Sequence, residues 1–198
     1  MWREKAWPDV ISVRGAGGPI NEKGKTVRRF LGEIDPSDKE LAESLINSFI
    51  KGYVNSPVEN ILVITADGEV HFATDNKNAG VDCSYLGDKL KGSYNIHTHP
   101  SEETQFSFST DVDIPAAFAD GTAVMDACDY KYRYRFEVPK HITFEQWDKV
   151  RYDVQDKIYA IMFEYGYDFD NIEEDREHII ILETCKRLGL DCYRRWKL

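Results

Sequence analysis

The chain carries no excess of positive charge: 25 Lys and Arg stand against 35 Asp and Glu, a formal net charge of −10. That balance argues against general affinity for nucleic acid or for anionic membrane surfaces. Apolar runs approaching the ~20 residues of a membrane helix are lacking; the longest, such as Ile158 to Phe163 and Ile179 to Leu182, are of core size. No apolar stretch follows Met1-Trp2-Arg3-Glu4-Lys5, so no secretory leader is expected. The four cysteines, Cys83, Cys128, Cys185 and Cys192, show no C-x-x-C spacing. They suggest neither a zinc knuckle nor a redox pair, and a cytoplasmic, reducing setting fits them. Gly15-Ala16-Gly17-Gly18-Pro19 lacks the Lys-Ser/Thr that turns a glycine-rich loop into a phosphate cradle, and reads as turn material. There is no internal repeat. What is present is a chain of 198 residues, 42% hydrophobic and 30% charged, long enough for one core with extensions.

Taken in order, residues 1–34 read as an extended lead-in. Ser37-x-x-Glu40 has the form of a capping box, and Leu41, Leu45, Phe49 and Tyr53 recur every four residues as one buried helical face. Asn55-Ser56-Pro57 ends that helix. Val58–Thr65 is a continuous apolar run, expected as a strand covered on both faces. Asp67-Gly68 then signals a hairpin into Glu69–Thr74, and a helical turn is expected around Tyr85–Leu90. A short helix ending at Asp120-Gly121 leads to a strand over Thr122–Cys128. From Tyr130 to Val138 aromatic and charged residues alternate, predicting a strand with aromatics in the core and charges in solvent. The same alternation weighs against a stacking platform for single-stranded nucleic acid. Thr143-x-x-Gln146 opens a helix whose Trp147, Val150, Val154, Ile158, Ile161 and Tyr165 share a face up to Gly166. Another helix spans about 172–188, capped by Gly189-Leu190, and Cys192–Trp196 reads as a last edge strand.

Of five histidines, two stand apart. Ser93–His99 reads as a strand, and residues i and i+2 of a strand share a face. His97 and His99 therefore project side by side, as two ligands of one tetrahedral zinc must, and Pro100 ends the ladder. A hydrolytic zinc site needs a third protein ligand, and Asp111 and Asp113 both qualify. In Thr110-x-x-Asp113 a hydroxyl and a carboxylate lie three residues apart at a helix entrance, and Pro115 moves the helix start toward Asp113. A general base is also required. Glu59, at the head of the buried strand, is better placed than Glu69. His71, His141 and His178 are expected to be structural or exposed.

Glu59, His97-Thr98-His99-Pro100 and Thr110-x-x-Asp113-Ile114 together resemble the JAMM (MPN-plus) metalloprotease motif. The resemblance covers about residues 37–138 and is nearest to JAMM-type domains of phage and mobile-element proteins, including minor head proteins. It implies an α/β (α+β) fold, a cytidine-deaminase-like, JAB-type mixed sheet flanked by helices, here with two extra C-terminal helices. The implied organisation is a lead-in (1–34), a catalytic domain (35–140) and a helical extension packed on it (141–198). By resemblance, His97, His99 and Asp113 hold Zn2+, Glu59 moves the proton, and Thr110 takes the family's serine position beside the oxyanion, with Ser109 its alternative. The implied activity is hydrolysis of an amide or isopeptide bond in a protein or peptide, a ubiquitin-like conjugate included. Ten residues separate His99 from Thr110, more than the family usually has. Two other classes compete. One is a non-catalytic structural or assembly module of a phage particle; the other is a barrel hydrolase, which needs about 250 residues.

Overall fold

Seven strands order the molecule: β1 (Val27–Glu33), β2 (Ile61–Ile64), β3 (Glu69–Thr74), β4 (Tyr94–Thr98), β5 (Val124–Cys128), β6 (Tyr132–Glu137) and β7 (Tyr193–Lys197). They form one sheet in the order β1-β3-β2-β4-β5-β6-β7. The computed structural model describes residues 25–100, 106–168 and 172–198. The glycine-rich 15–19 segment lies outside them. Every neighbouring pair is antiparallel except β4 and β5, which run parallel. A parallel pair cannot be closed by a tight turn and needs a crossover. Helix α2 (Asp113–Asp120) lies within that crossover. The carboxyl end of β4 and the entrance of α2 therefore open on one crevice, where open α/β sheets place their ligands.

Helix α1 (Lys39–Tyr53) covers one face of the sheet. Its Leu45, Ile46, Phe49, Ile50 and Tyr53 pack on Leu62, Ile64, Val70, Phe72 and Ile96, each fully buried side chain worth about 1.5–3 kcal/mol. The cap is Asp38, one residue later than the spacing predicts. Its carboxylate accepts from the Leu41 N–H at 2.9 Å, while the Ser37 hydroxyl donates to Asp35. On the other face Val63 packs against Leu86 and Leu90 of a 3-10 segment (Ser84–Leu90). The strand expected from 58 to 65 is thus shorter but covered on both sides. Gly68 turns the hairpin at φ +95°, and a Cβ there would lie 2.1 Å from the Ile34 carbonyl oxygen.

The C-terminal region is part of the same sheet assembly. Trp147, Ile181 and Cys185 pack on Met125, Ala127, Tyr134 and Phe136, and β7 extends the sheet beyond β6. The helix expected to run unbroken to Gly166 is two, α3 (Phe144–Gln155) and α4 (Ile158–Glu164), with Lys157 at φ −113°, ψ 9° between them. The break turns Met162 inward with Ile158 and Ile161 onto Ile172, Ile179 and Ile180 of α5 (Ile172–Arg187), and leaves Tyr165 exposed. At the start of α3 the expected capping box forms, and Leu190 N–H closes the α5 cap on Cys185.

The charged face of β6 is not all in solvent: Glu137 is exposed, but Arg133 is covered and Arg135 partly so. Asp126 and Arg133 are 0% and 4% exposed. The Asp126 carboxylate accepts from Arg133 Nε at 2.8 Å, Arg135 Nε at 2.7 Å and the Tyr94 hydroxyl at 2.9 Å. Glu43 of α1 meets Arg133 at 2.5 Å, and the Trp196 ring lies against the Arg133 guanidinium. Period-two alternation sorts side chains by face; it does not say what covers each face.

Candidate metal centre

Strand β4 delivers the two histidines. Its parallel register on β5 continues past Thr98, with the His99 N–H donating to the Cys128 carbonyl at 2.8 Å. His97 and His99 are 4% and 7% exposed, and their Nε2 atoms lie 3.0 Å apart. The crossover then returns Asp113 to them. Asp113 Oδ1 is 3.6 Å from His97 Nε2, and Oδ2 is 3.6 Å from His99 Nε2.

Ser109 aims that carboxylate. Its N–H donates to Asp113 Oδ2 at 2.7 Å, and its carbonyl accepts from the N–H groups of Asp113 and Ile114. Its hydroxyl accepts from the N–H groups of Asp111 and Val112. Helix α2 begins at Asp113, so Pro115 falls in the first turn, where its missing N–H has no intrahelical partner to lose. Asp111 is excluded as the third ligand here: its side chain is 75% exposed and pairs with Arg151 at 3.3 Å.

Antiparallel pairing of β2 with β4 sets Ile61 opposite His97. The pairing continues outward, with Thr98 N–H donating to the Asn60 carbonyl and Asn60 N–H to the Thr98 hydroxyl. Glu59 follows at the mouth of the same crevice, its carboxylate accepting the Gly80 N–H. Burial raises the Glu59 pKa, the nearby imidazoles and the Gly80 N–H oppose that rise, and the Asp113 charge adds to it. Glu69 is engaged elsewhere, with His71 at 2.8 Å and Lys89 at 2.6 Å.

Burial also works against the charge on Asp113, but the two imidazoles more than offset it and hold the carboxyl far below the usual range. In His97 burial opposes the charged ring, and the Asp113 carboxylate outweighs it, so its pKa is raised. A metal would compete with those protons.

The donor set fits zinc. Two imidazole nitrogens and a carboxylate are ordinary zinc ligands, and bonds of about 2.0–2.2 Å make a tetrahedron with edges of about 3.3–3.6 Å. The three side chains stand near that spacing: the two Nε2 atoms are 3.0 Å apart, a little under such an edge, and each is 3.6 Å from a different Asp113 oxygen. Among the described residues this is the only group of three or more His, Cys, Asp or Glu so converged, all ligand atoms lying within 4.8 Å of one another. His99 Nδ1, on the far side of its ring, and Asp129 Oδ2 are both buried without a partner.

Thr110 is hydrogen-bonded to α5. Its hydroxyl donates to Glu177 of α5 at 2.6 Å, and its N–H donates to the same oxygen at 3.1 Å. The cleft beside the ligands encloses ≈ 300 Å³ and is lined by Glu59, His97 and Asp113, and by Asn95, Asp82 and Asp120, which spacing alone did not single out. Of these, Asp120 had a visible signal: it lies seven residues after Asp113, on the same helical face. Of the other histidines, His71 is paired with Glu69, and His178 Nδ1 lies 2.8 Å from the Tyr193 hydroxyl. No helix of the described residues is long and apolar enough to cross a membrane. No protein family, curated protein or solved structure matches the chain.

Proposed function

We propose that the protein is a zinc-dependent amide hydrolase of JAMM type, acting on a peptide or isopeptide bond. The observation that carries this reading is the meeting of His97, His99 and Asp113 in one crevice with Glu59 on the same cleft wall. His97, His99 and Asp113 would hold the ion, a set of three protein ligands of the kind found where zinc is catalytic. When bound, the zinc supplies Lewis acidity toward water and toward the scissile carbonyl. Glu59 accepts the proton that water loses and delivers it to the leaving amine nitrogen. Burial raises its pKa, which makes the carboxylate a readier proton acceptor. The short α2 entrance turn built on Ser109 keeps Asp113 trained on both rings. Thr110 has no part at the carbonyl in this reading, because its hydroxyl is committed to Glu177.

The test is metal content followed by turnover. Protein purified without added metal and then dialysed against zinc should hold about one ion per chain, and His97→Ala and Asp113→Ala should hold none. Glu59→Gln should keep the ion and lose cleavage of a peptide and lysine-isopeptide library by about 10²–10⁴-fold. A wild type that refuses zinc ends the hydrolase reading and leaves a structural module on the same sheet. Undiminished turnover in Glu59→Gln removes Glu59 from the chemistry.

A further inference from the structure

Two thiols meet at the end of α5. Cys185 Sγ and Cys192 Sγ lie 3.5 Å apart, one S–H donating to the other sulfur. The helix cap brings them together. Gly189 turns the chain at φ +68°, and the Leu190 N–H reaches back to the Cys185 carbonyl at 2.9 Å. That closure folds the chain back over the last helical turn. Two residues on, the Cys192 carbonyl accepts the Glu137 N–H at 2.8 Å, which fixes its backbone beside β6. Both cysteines are thus held in place by main-chain bonds. Spacing alone hides the pair, because only the reversal at Gly189 joins residues seven positions apart.

A buried cysteine ordinarily packs as a small apolar side chain. Cys128 does so in the core beneath α1, and Cys83 beside Val63 and Leu90. Cys185 and Cys192 instead face each other. Closing a bond of about 2.05 Å between them takes a side-chain adjustment of about 1.5 Å. The two thiols are not equivalent. Cys192 is 8% exposed and Cys185 3%, and Cys192 follows Asp191, whose side chain is open to solvent. The Cys185 S–H donating to it holds the Cys192 thiol below its usual range against burial, and the same contact displaces Cys185 upward.

We infer that Cys185 and Cys192 form a reversible dithiol–disulfide pair, oxidised by a low-molecular-weight disulfide. Cys192 loses its proton to solvent, and its thiolate attacks one sulfur of that disulfide. A mixed disulfide forms and the first small thiolate leaves. Cys185 then loses its proton, its sulfur attacks Cys192 Sγ, and the second small thiolate leaves. Two protein thiols are oxidised, one small disulfide is reduced to two thiols, and the two protons end on the leaving thiolates. No metal enters this exchange, so the pair stands whether or not the crevice binds zinc.

The test equilibrates the full chain, freed of metal by chelator, with glutathione and glutathione disulfide, alkylates free thiols in denaturant and maps peptides by mass. The linked Cys185–Cys192 peptide should appear, with Cys83 and Cys128 alkylated, and a reductant should restore all four thiols. When the exchange is run in urea, the equilibrium constant for the same bond should fall by about tenfold or more, a potential about 30 mV higher. Cys185→Ala should collect glutathione at Cys192, while Cys192→Ser should leave Cys185 unmodified. Four alkylated thiols in the most oxidising buffer, pairings scattered among all the cysteines, or an equal constant in urea would overturn the pair. Glutathione on Cys185 in Cys192→Ser, with none on Cys192 in Cys185→Ala, would overturn the assignment of Cys192 as the attacking thiol.

Discussion

His97 and His99 face each other nitrogen to nitrogen across 3.0 Å, and the two oxygens of Asp113 divide between them, Oδ1 3.6 Å from His97 and Oδ2 3.6 Å from His99. A ligand that binds only the folded state stabilises it by mass action, about 2.7 kcal/mol at a hundred times its dissociation constant. For a chain of this size that corresponds to a rise in Tm of about 5–10 °C. Differential scanning calorimetry should show the rise with zinc and its reversal by chelator. His97→Ala and Asp113→Ala should show neither, and an equal rise in those variants would place the metal elsewhere.

Thr110 separates a packing role from a catalytic one. Its hydroxyl donates to Glu177 at 2.6 Å within a buried junction between the crossover and α5. Thr110→Val should lower stability by about 1–3 kcal/mol, because the carboxylate loses a donor that water does not replace. Zinc content should be unchanged. Urea denaturation reads the first quantity and atomic absorption the second. A variant of normal stability that cannot turn over substrate would return Thr110 to the oxyanion.

The charges beneath α1 depend on one acid. Asp126 meets both Arg133 and Arg135, and its side chain is fully buried. Asp126→Ala should cost about 3–5 kcal/mol, since it strands the buried Arg133 without its main counter-ion. Replacing Asp126, Arg133 and Arg135 together by apolar residues of similar volume should recover most of that loss. Urea midpoints of the single and triple variants decide it. A mild single variant would show that Glu43 alone suffices.

Stability should depend on pH through His178. Burial, with Arg195 nearby, pushes its imidazole down to about 3, against about 6.5 in an unfolded chain. Between those values the unfolded state binds a proton that the folded state refuses. Stability is therefore lost as pH falls through that window, on the order of 4 kcal/mol for this one group. His97, whose pKa is raised, contributes with the opposite sign, so the comparison is made against His178→Gln in chelator. The variant's urea midpoint should fall less steeply than the wild type's from pH 7 to 4. Parallel curves would mean that His178 is solvated.

Much of the site was legible because it is local. His-x-His on a strand, Asp113 at a helix entrance with Pro115 behind it, and the Gly121 and Gly189 caps depend on neighbours within a few residues. What was hidden depends on distant partners. Thr110 finds its acceptor on α5, and Ser109 rather than Thr110 shapes the turn at Asp113. The arginines of β6 looked solvated because nothing in their own strand names α1 and Trp196 as the cover. A single acid inside the apolar run Val124–Cys128 was the readable clue, since Asp126 stands opposite Arg135 in register. The turn at Lys157 carries neither glycine nor proline, and only the packing of α4 on α5 requires it.

Among the described residues the sheet order leaves β1 and β7 as its two outer strands. In a chain of net charge −10, both outer strands nevertheless present cations: Arg29 on β1, beside one exposed acid, Glu33, and Arg194 and Lys197 on β7. A β-bulge between Phe30 and Gly32 further spoils the straightness of the first rim. Copies lined up end to end would therefore set like charges against each other along an irregular seam, and the protein is guarded against growing into a continuous ribbon.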